Sequence, residues 1–561
     1  MDRRTTLALS LSFVLLMVYQ TYLELYVNPP VEVEQSSGKQ TGSDTNSTAA
    51  AKKSSDPVLP DAQVAKGGDL QLAKQQPVNP PAEEVVAVRS DDRLNFSNGL
   101  VSGELSLTGA QLVQLEFLKH LDQLPPEGKP IQFLRHNAQA KGPEVFFGES
   151  GFLATPDIQT PGRKTVWQTN SRGGVQGNGS LELFWDNGKG LRFEKSIVIA
   201  ANSYQLVVRD RAINQTASPV PLYSFAQFVR TEPLVDAGHP MATSDFQGPM
   251  GYLDKTRVQH NYEDLRKKDA HQDASNGWVG FSDKFFLAAL IPADPGTVKK
   301  YYFDFDAPAY RVGSVSKQHT VGAGQDVTVE TRLYVGPKEI RSLEQQEMAL
   351  ERAIDYGWLH FLAVPLVDVL VFFNDYLHNF GLAIICLTLL VKGLFFPLAD
   401  KSYRSMNAMK KLQPKMEELR KLYAGDKVRL NQEMMQLYQT NKVNPLGGCL
   451  PVVVQIPVFF ALYQVLYLSV EIRHAPFFLW IHDLSVQDPY YVLPVLMGIS
   501  MLIQTKMNPA PADPIQAKVM LFLPVIFTFM FLSFPAGLVL YWLVNNVLSI
   551  AQQGYIMKKM G

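Results

Sequence analysis

Apolar positions follow three patterns along the chain. They are nearly continuous at 7–27, recur at every second position between 84 and 337, and return in long runs from 358 to 557. The run at 7–27 matches the ~20 residues a membrane-spanning helix needs. Arg3 and Arg4 precede it, and it ends in Leu23-Glu24-Leu25-Tyr26-Val27 with no A-x-A-like cleavage site. It therefore reads as an uncleaved anchor rather than a removed signal peptide, with residue 1 cytoplasmic and residue 28 outside. Residues 28–83 are rich in Pro, Ser, Ala, Gln and Lys, with almost no aromatics. Such a stretch buries too little apolar area to order itself and reads as a flexible linker.

Period two governs 84–337. Leu181, Leu183 and Trp185 alternate with polar positions, and Asn187-Gly188 supplies a hairpin signal. Leu191, Phe193, Ile197 and Ile199 continue beyond it, and Val327, Val329, Thr331, Leu333 and Val335 form another alternating strand. The pattern predicts an exported β-rich domain, a large β-sandwich.

Further on, 338–357 is charged and helix-prone, and 358–377 is apolar but interrupted by His360, Pro365, Asp368, Asn374 and Asp375. Orientation decides its role. Residues 400–445 hold ten Lys/Arg against five Asp/Glu, so this segment belongs in the cytoplasm. That holds if 338–377 is an amphipathic region at the outer interface and 380–398 spans. Four more spans follow, at about 446–469, 490–507, 517–534 and 536–556. The reading is six spans with both termini inside and a short cytoplasmic tail at 557–561. Within 400–441, Met409, Leu412, Met416, Leu419 and Tyr423 form one helical stripe, with Leu430, Met434 and Leu437 facing it across an Ala424-Gly425-Asp426 turn. This is a cytoplasmic helical hairpin, either packed on itself or offering a Met-rich docking surface.

Composition narrows the function. Lys+Arg 52 against Asp+Glu 53 leaves a net charge of −1, which argues against a bulk polyanion binder. Cys386 and Cys449 are the two cysteines, too few for a disulfide-stapled scaffold. No H-E-x-x-H, G-x-x-x-x-G-K-[ST] or G-x-S-x-G is present. The Gly-rich stretch at 173–179 precedes a strand rather than a helix, so it reads as a turn and not a phosphate cradle.

The chemistry lies in polar residues inside the spans. Lys392 sits six residues before Leu398, roughly 9 Å of helix from the cytoplasmic end. It is either a snorkelling lysine or a functional charge in a wet cavity. Thr388 is one turn away on the same face. Gln455 interrupts Val452-Val453-Val454, and Asn545, Ser549 and Gln552 recur at i, i+4 and i+7. They either cross-bond helices or line a hydrophilic groove together with Lys392. The five C-terminal spans contain no carboxylate of the kind that couples protons or ions in a pump.

Several motifs together carry a resemblance. Val443-Asn444-Pro445-Leu446-Gly447-Gly448-Cys449 is followed by Pro451, Gln455 and Pro457. Ala475-Pro476-Phe477 leads to Trp480-Ile481-His482-Asp483-Leu484-Ser485 and Asp488-Pro489-Tyr490-Tyr491. Phe534-Pro535-Ala536-Gly537-Leu538-Val539-Leu540-Tyr541-Trp542 opens the last span. Over about 380–556 the chain resembles the YidC membrane protein insertases. Gly277-Trp278-Val279 and Ile291-Pro292 extend the likeness into the exported domain, and the layout is similar to the Gram-negative form. The resemblance implies a non-enzyme without cofactor or small-molecule substrate, set in the bacterial inner membrane. It implies five core helices over 378–556 around a groove that takes hydrophobic segments of nascent membrane proteins into the bilayer, alone or beside the Sec translocon. The family's groove charge, usually arginine, falls on Lys392, which keeps the charge but loses the bidentate fork. Substrate-contacting positions fall on Thr388, Gln455, Ile456, Pro457, Met530, Tyr541 and Trp542. Asn545 joins the groove on its spacing. Membrane lipids are implied as surroundings, and the short tail, with Lys558 and Lys559, implies a weak contribution to ribosome binding. Two rival readings are a small-molecule transporter or channel, and an envelope scaffold acting through its β-domain. An intramembrane protease lacks a Ser/His or Asp pair in the spans.

Overall fold

The computed structural model describes residues 92–137, 144–171, 173–231, 246–346, 348–441, 443, 450–508 and 514–560. The anchor at 1–27, the linker at 28–83 and positions 444–449 of the Asn-Pro-Leu-Gly-Gly-Cys motif lie outside the described residues.

Alternation becomes a layer at Leu191–Ile199, where Leu191, Phe193, Ile197 and Ile199 are all buried. This strand pairs antiparallel with Gly179–Asp186, Leu181 opposite Ile197 and Trp185 opposite Phe193. The predicted hairpin turn lies between them. Gly188 adopts a φ of +68°, and Asn187 Oδ1 accepts the amide N–H of Lys189 (2.8 Å) and Leu191 (3.0 Å). At 173–179 a two-residue strand, Val175–Gln176, pairs parallel with Arg93–Ser97 between turns at Gly174 (φ +68°) and Gly177 (φ +79°), and the Gly-rich segment leads into the strand Gly179–Asp186 and not into a helix.

Among the described residues the strands assemble into two sheets. One has eleven strands, from Ala270–Gln272 at one edge through Val220–Thr231 and Glu144–Leu153 to Arg93–Ser97 and Val175–Gln176. The other has nine, from Thr256–Gln259 through Asp326–Pro337 and Gln205–Asn214 to Gln168–Thr169. Their inner faces meet through aromatics: Phe117 stacks on Phe286 at 4.8 Å, and Phe146 meets Phe281 edge-on at 5.6 Å. This is sandwich packing. Charged side chains interrupt it, Lys195 the most deeply buried among them. Lys195 occupies an inward position of the Leu191–Ile199 row and donates to Asp210 Oδ1 (2.5 Å), Ser150 Oγ (2.7 Å) and Ser150 O (3.0 Å). All three ammonium donors are used, which offsets the cost of burying the charge.

Among the described residues from His360 onward there are eight helices: α1 (His360–Leu377), α2 (Phe380–Leu394), α3 (Phe396–Leu422), α4 (Lys427–Thr440), α5 (Leu450–Leu468), α6 (Val492–Met507), α7 (Pro514–Phe531) and α8 (Ala536–Met560). The last four follow the predicted apolar runs closely. The expected span at 380–398 does not stay straight. It breaks at Phe395, and α2 and α3 meet at 66°. Pro397 explains this, because it lacks the N–H an uninterrupted helix would need and fits the first turn of a new one. Gly357–Leu377 forms one helical stretch long and apolar enough to cross a membrane by length and composition.

α3 and α4 form the expected hairpin. Leu412, Met416 and Met434 are buried between them with Leu419, Leu430 and Leu437 alongside. Asp426 caps α4 by accepting the N–H groups of Val428 (3.1 Å) and Arg429 (3.0 Å). Tyr423 departs from the predicted stripe and lies under the Arg429 guanidinium at 5.4 Å. α8 packs against α2, α3, α5 and α6, and α1 packs against α2 and α5.

Candidate functional site

α8 is the common wall of the site. Tyr541, Asn545, Ser549 and Gln552 are three or four residues apart and share one face. From α5, Gln455 donates its amide to Asn545 Oδ1. The buried Tyr541 hydroxyl lies beside Gln455 without a well-formed hydrogen bond. One turn further, Lys392 of α2 donates from Nζ to Ser549 Oγ at 2.7 Å. Ser549 donates onward to the Asn545 backbone oxygen at 2.7 Å, and Tyr403 of α3 approaches the same hydroxyl. No carboxylate pairs with Lys392 among the described residues.

The nine residues singled out in sequence divide by place. Lys392, Gln455, Asn545 and Tyr541 meet on successive rungs along α8. Thr388 is fully buried, and its hydroxyl is taken up by the Ile384 carbonyl at 2.6 Å. Trp542 points away from the polar face, edge-on to Phe459 at 4.6 Å and 5.2 Å from Phe531. Met530 packs against the same apolar cluster. Ile456 faces outward, 47% exposed, and Pro457 beside it is half-buried.

Sequence reasoning missed a second polar seam. Asn546 Nδ2 donates to Ser500 Oγ of α6 at 3.0 Å, and Gln553 Nε2 donates to Asn508 Oδ1 at 3.2 Å. The doublets Asn545-Asn546 and Gln552-Gln553 carried the signal. Neighbouring residues point about 100° apart on a helix, so each doublet serves two faces.

The end of the helical region beside the sandwich is closed by short loops. Asp488 is buried and accepts from Trp480 Nε1 (3.0 Å), Tyr490 N (3.0 Å) and Leu493 N (2.7 Å), which caps the start of α6. Asp483 accepts from Ser485 N (2.8 Å) and Ser485 Oγ (2.6 Å). The turn before α8 docks on this loop, with Ala536 N bonded to Val486 O (2.7 Å) and Gly537 N to Leu484 O (2.9 Å). Beside it a cleft of about 420 Å³ separates sandwich from helices, lined in part by His120, Glu339, Asp368, Glu471 and Arg473. Burial, reinforced by Glu339, pushes the Glu471 carboxyl up to about 7. Burial, reinforced by Arg473, pushes His120 down to about 4. Among the described residues no group of His, Cys, Asp and Glu is arranged to hold a metal ion.

Two family models match the chain. The YidC periplasmic domain covers residues 93–369, and the 60Kd inner membrane protein covers 372–561. The membrane protein insertase YidC of Magnetococcus marinus is 54% identical over 565 residues, covering 100% of this chain and 99% of that one. Its counterpart in Methylobacillus flagellatus is 38% identical over 560 residues, covering 99% and 96%. Among solved structures, an active YidC insertase crystal structure with its first transmembrane domain resolved overlaps at a TM-score of 0.36 with 19% identity, covering 83% of this chain and 92% of that one.

Proposed function

The chain belongs to the YidC membrane protein insertases, and we propose that it inserts its clients along the polar face of α8. It is an inner-membrane insertase with a β-sandwich-like periplasmic domain and a helical C-terminal region. Its clients are nascent membrane proteins.

The observation that carries the mechanism is the pair of rungs on α8: Gln455 to Asn545, and Lys392 to Ser549. They lie just before and just after the midpoint of α8, whose start docks on the outer loop. Asn545 is nine residues and Ser549 thirteen residues past Ala536, about 14 and 20 Å along the helix. The hydrophilic path therefore runs from about the middle of α8 inward, and the closed loops seal the outer part. A client tail crossing lipid loses hydration, and a single central Asp or Lys costs ~2.5–3.5 kcal/mol on insertion scales. A wet inner half shortens the dry path. Helices α2 and α6 shorten it further. With 15 and 16 residues they reach only about 22 and 24 Å against a ~30 Å hydrocarbon core. Lys392 draws in acidic tail residues, and Gln455 and Asn545 offer exchangeable hydrogen bonds. Thr388 backs Lys392 from within the packed helices. Ile456 and Pro457 form the outward-facing edge, and Met530, Tyr541 and Trp542 a permissive apolar slide. Burial of the client's apolar helix in lipid drives the step, so no nucleotide, cofactor or catalysed reaction is required.

The full layout under this reading is an anchor at 1–27, a linker at 28–83, the periplasmic domain at 84–337, an interfacial region at 338–377 and a five-helix core at 378–556. That makes six spans with both termini in the cytoplasm, the α3–α4 hairpin beside them and a short tail at 557–561. Two features favour α1 at the outer interface. The chain entering it is tied to the sandwich, Arg257 donating to the Ile354 carbonyl at 3.0 Å, and Asp375 near its far end binds Arg341, just past the last strand, at 2.7 Å. The Sec translocon, the ribosome with weak help from the tail, and membrane lipids are the proposed partners. Reconstitution of the full chain into liposomes, with protease protection of a small spanning client, tests the reading. Insertion above empty liposomes is expected, and Lys392→Glu is expected to impair acidic-tailed clients most. Equal impairment of basic- and acidic-tailed clients would overturn the electrostatic part.

A further inference from the structure

A lysine near a helix end ordinarily turns its flexible stem toward the aqueous boundary. Lys392 lies two residues before Leu394, the end of α2. Its ammonium instead crosses to α8 and donates to Ser549 Oγ at 2.7 Å. Ser549 is 3% exposed and sends its own proton to the Asn545 carbonyl at 2.7 Å, so its lone pairs are left to the ammonium. The hydroxyl is thus a fixed acceptor. An ammonium has three N–H donors, and Ser549 takes one. Gln552, three residues on along the same face, holds a buried Nε2 with no partner among the described residues. This surplus of donors, with no carboxylate among the described residues to meet the charge, is complementary to an acidic group.

We infer that Ser549 is the positioning residue for Lys392. Its hydroxyl holds the ammonium within the polar face of α8, and so sets the preference for client segments that carry a carboxylate. The inference rests on the reading of Lys392 as the charge that meets the client. Without the hydroxyl acceptor the stem swings toward the headgroups, and the groove loses its charge although the lysine remains.

The test uses the full chain in liposomes and two clients that differ only in an acidic or a neutral tail. Ser549→Thr keeps the hydroxyl, and Ser549→Val has nearly the same shape without it, so effects on folding cancel between them. Ser549→Thr is expected to keep the acidic-to-neutral insertion ratio. Ser549→Val is expected to lower it by roughly three- to tenfold, the scale of one ordinary net hydrogen bond, with the neutral client little changed. Equal ratios for the two variants overturn the inference, as does an equal loss for both clients. Lys392→Met separates the underlying reading. If that variant leaves the ratio unchanged, the groove charge itself is refuted. If it lowers the ratio while Thr and Val agree, only the role of Ser549 falls.

Discussion

Arg473 Nη1 donates to the Leu121 carbonyl at 2.5 Å, and Nη2 donates to the Asp122 carbonyl at 3.1 Å. The loop after α5 is thereby fastened to a strand end of the sandwich. Lys284 of the sandwich adds a cation–π contact, 3.6 Å from the Tyr467 ring at the end of α5.

Arg473→Ala removes both charge-assisted bonds and leaves two carbonyls to find water. Local stability at the junction is expected to fall by about 1–3 kcal/mol. Hydrogen exchange checks this. Amides near 119–122 and 472–475 are expected to exchange faster, with those of α8 unaffected. Unchanged exchange at the junction would show that the lysine contact and the apolar packing suffice to hold it.

Glu471 and His120 give that junction opposite responses to pH. Burial raises the Glu471 carboxyl from 4.5 to about 7 in the folded chain. The unfolded chain releases this proton first as pH rises. Between about 4.5 and 7 the folded state therefore holds more protons than the unfolded one, and its stability falls across that window. His120 is lowered from 6.5 to about 4, so the fold resists its protonation and loses stability as pH falls between those values. Glu471→Gln is expected to raise the unfolding midpoint at pH 8 and to leave it nearly unchanged at pH 4.5. Thermal unfolding at both pH values decides this. An equal rise at both would assign the effect to packing instead of charge.

The sequence exposes the parts of this fold that depend on local pattern and hides those that depend on distant partners. Alternation at Leu191–Ile199 and the Asn187-Gly188 turn predict the hairpin, because strand and turn geometry are set within a dozen residues. Apolar runs with polar ends predict α5 to α8. The bend at Phe395 was also written locally, in Pro397, but the apolar run across it masks the break. Lys195 looks like a fault in an apolar row, because Asp210 and Ser150 reach it from other strands. The polar face of α8 is of the same kind. The spacing of Asn545, Ser549 and Gln552 marks a polar face, yet nothing local says that Ser549 meets Lys392, 157 residues away.

Gly498 sets the spacing of α6 and α7. A Cβ there would stand 2.0 Å from Thr528 Oγ1, 3.2 Å from its Cβ and 3.4 Å from its Cγ2. Thr528 cannot simply rotate away, because its hydroxyl is bonded to the Pro524 carbonyl at 2.7 Å. In lipid no hydrophobic force draws helices together, and close van der Waals approach does that work. Gly498→Ala is therefore expected to destabilise the helical region by about 1–3 kcal/mol. Two residues along α6, Ser500 binds Asn546 of α8, so a shift of α6 also disturbs the second polar seam. Thr528→Ala removes the clashing oxygen and leaves a Cβ contact that a few tenths of an ångström relieve. The double variant is expected to be more stable than the sum of the single losses, by on the order of 1 kcal/mol in a thermal-unfolding cycle. A cycle in which the two losses simply add would mean that Gly498 serves something other than this close approach.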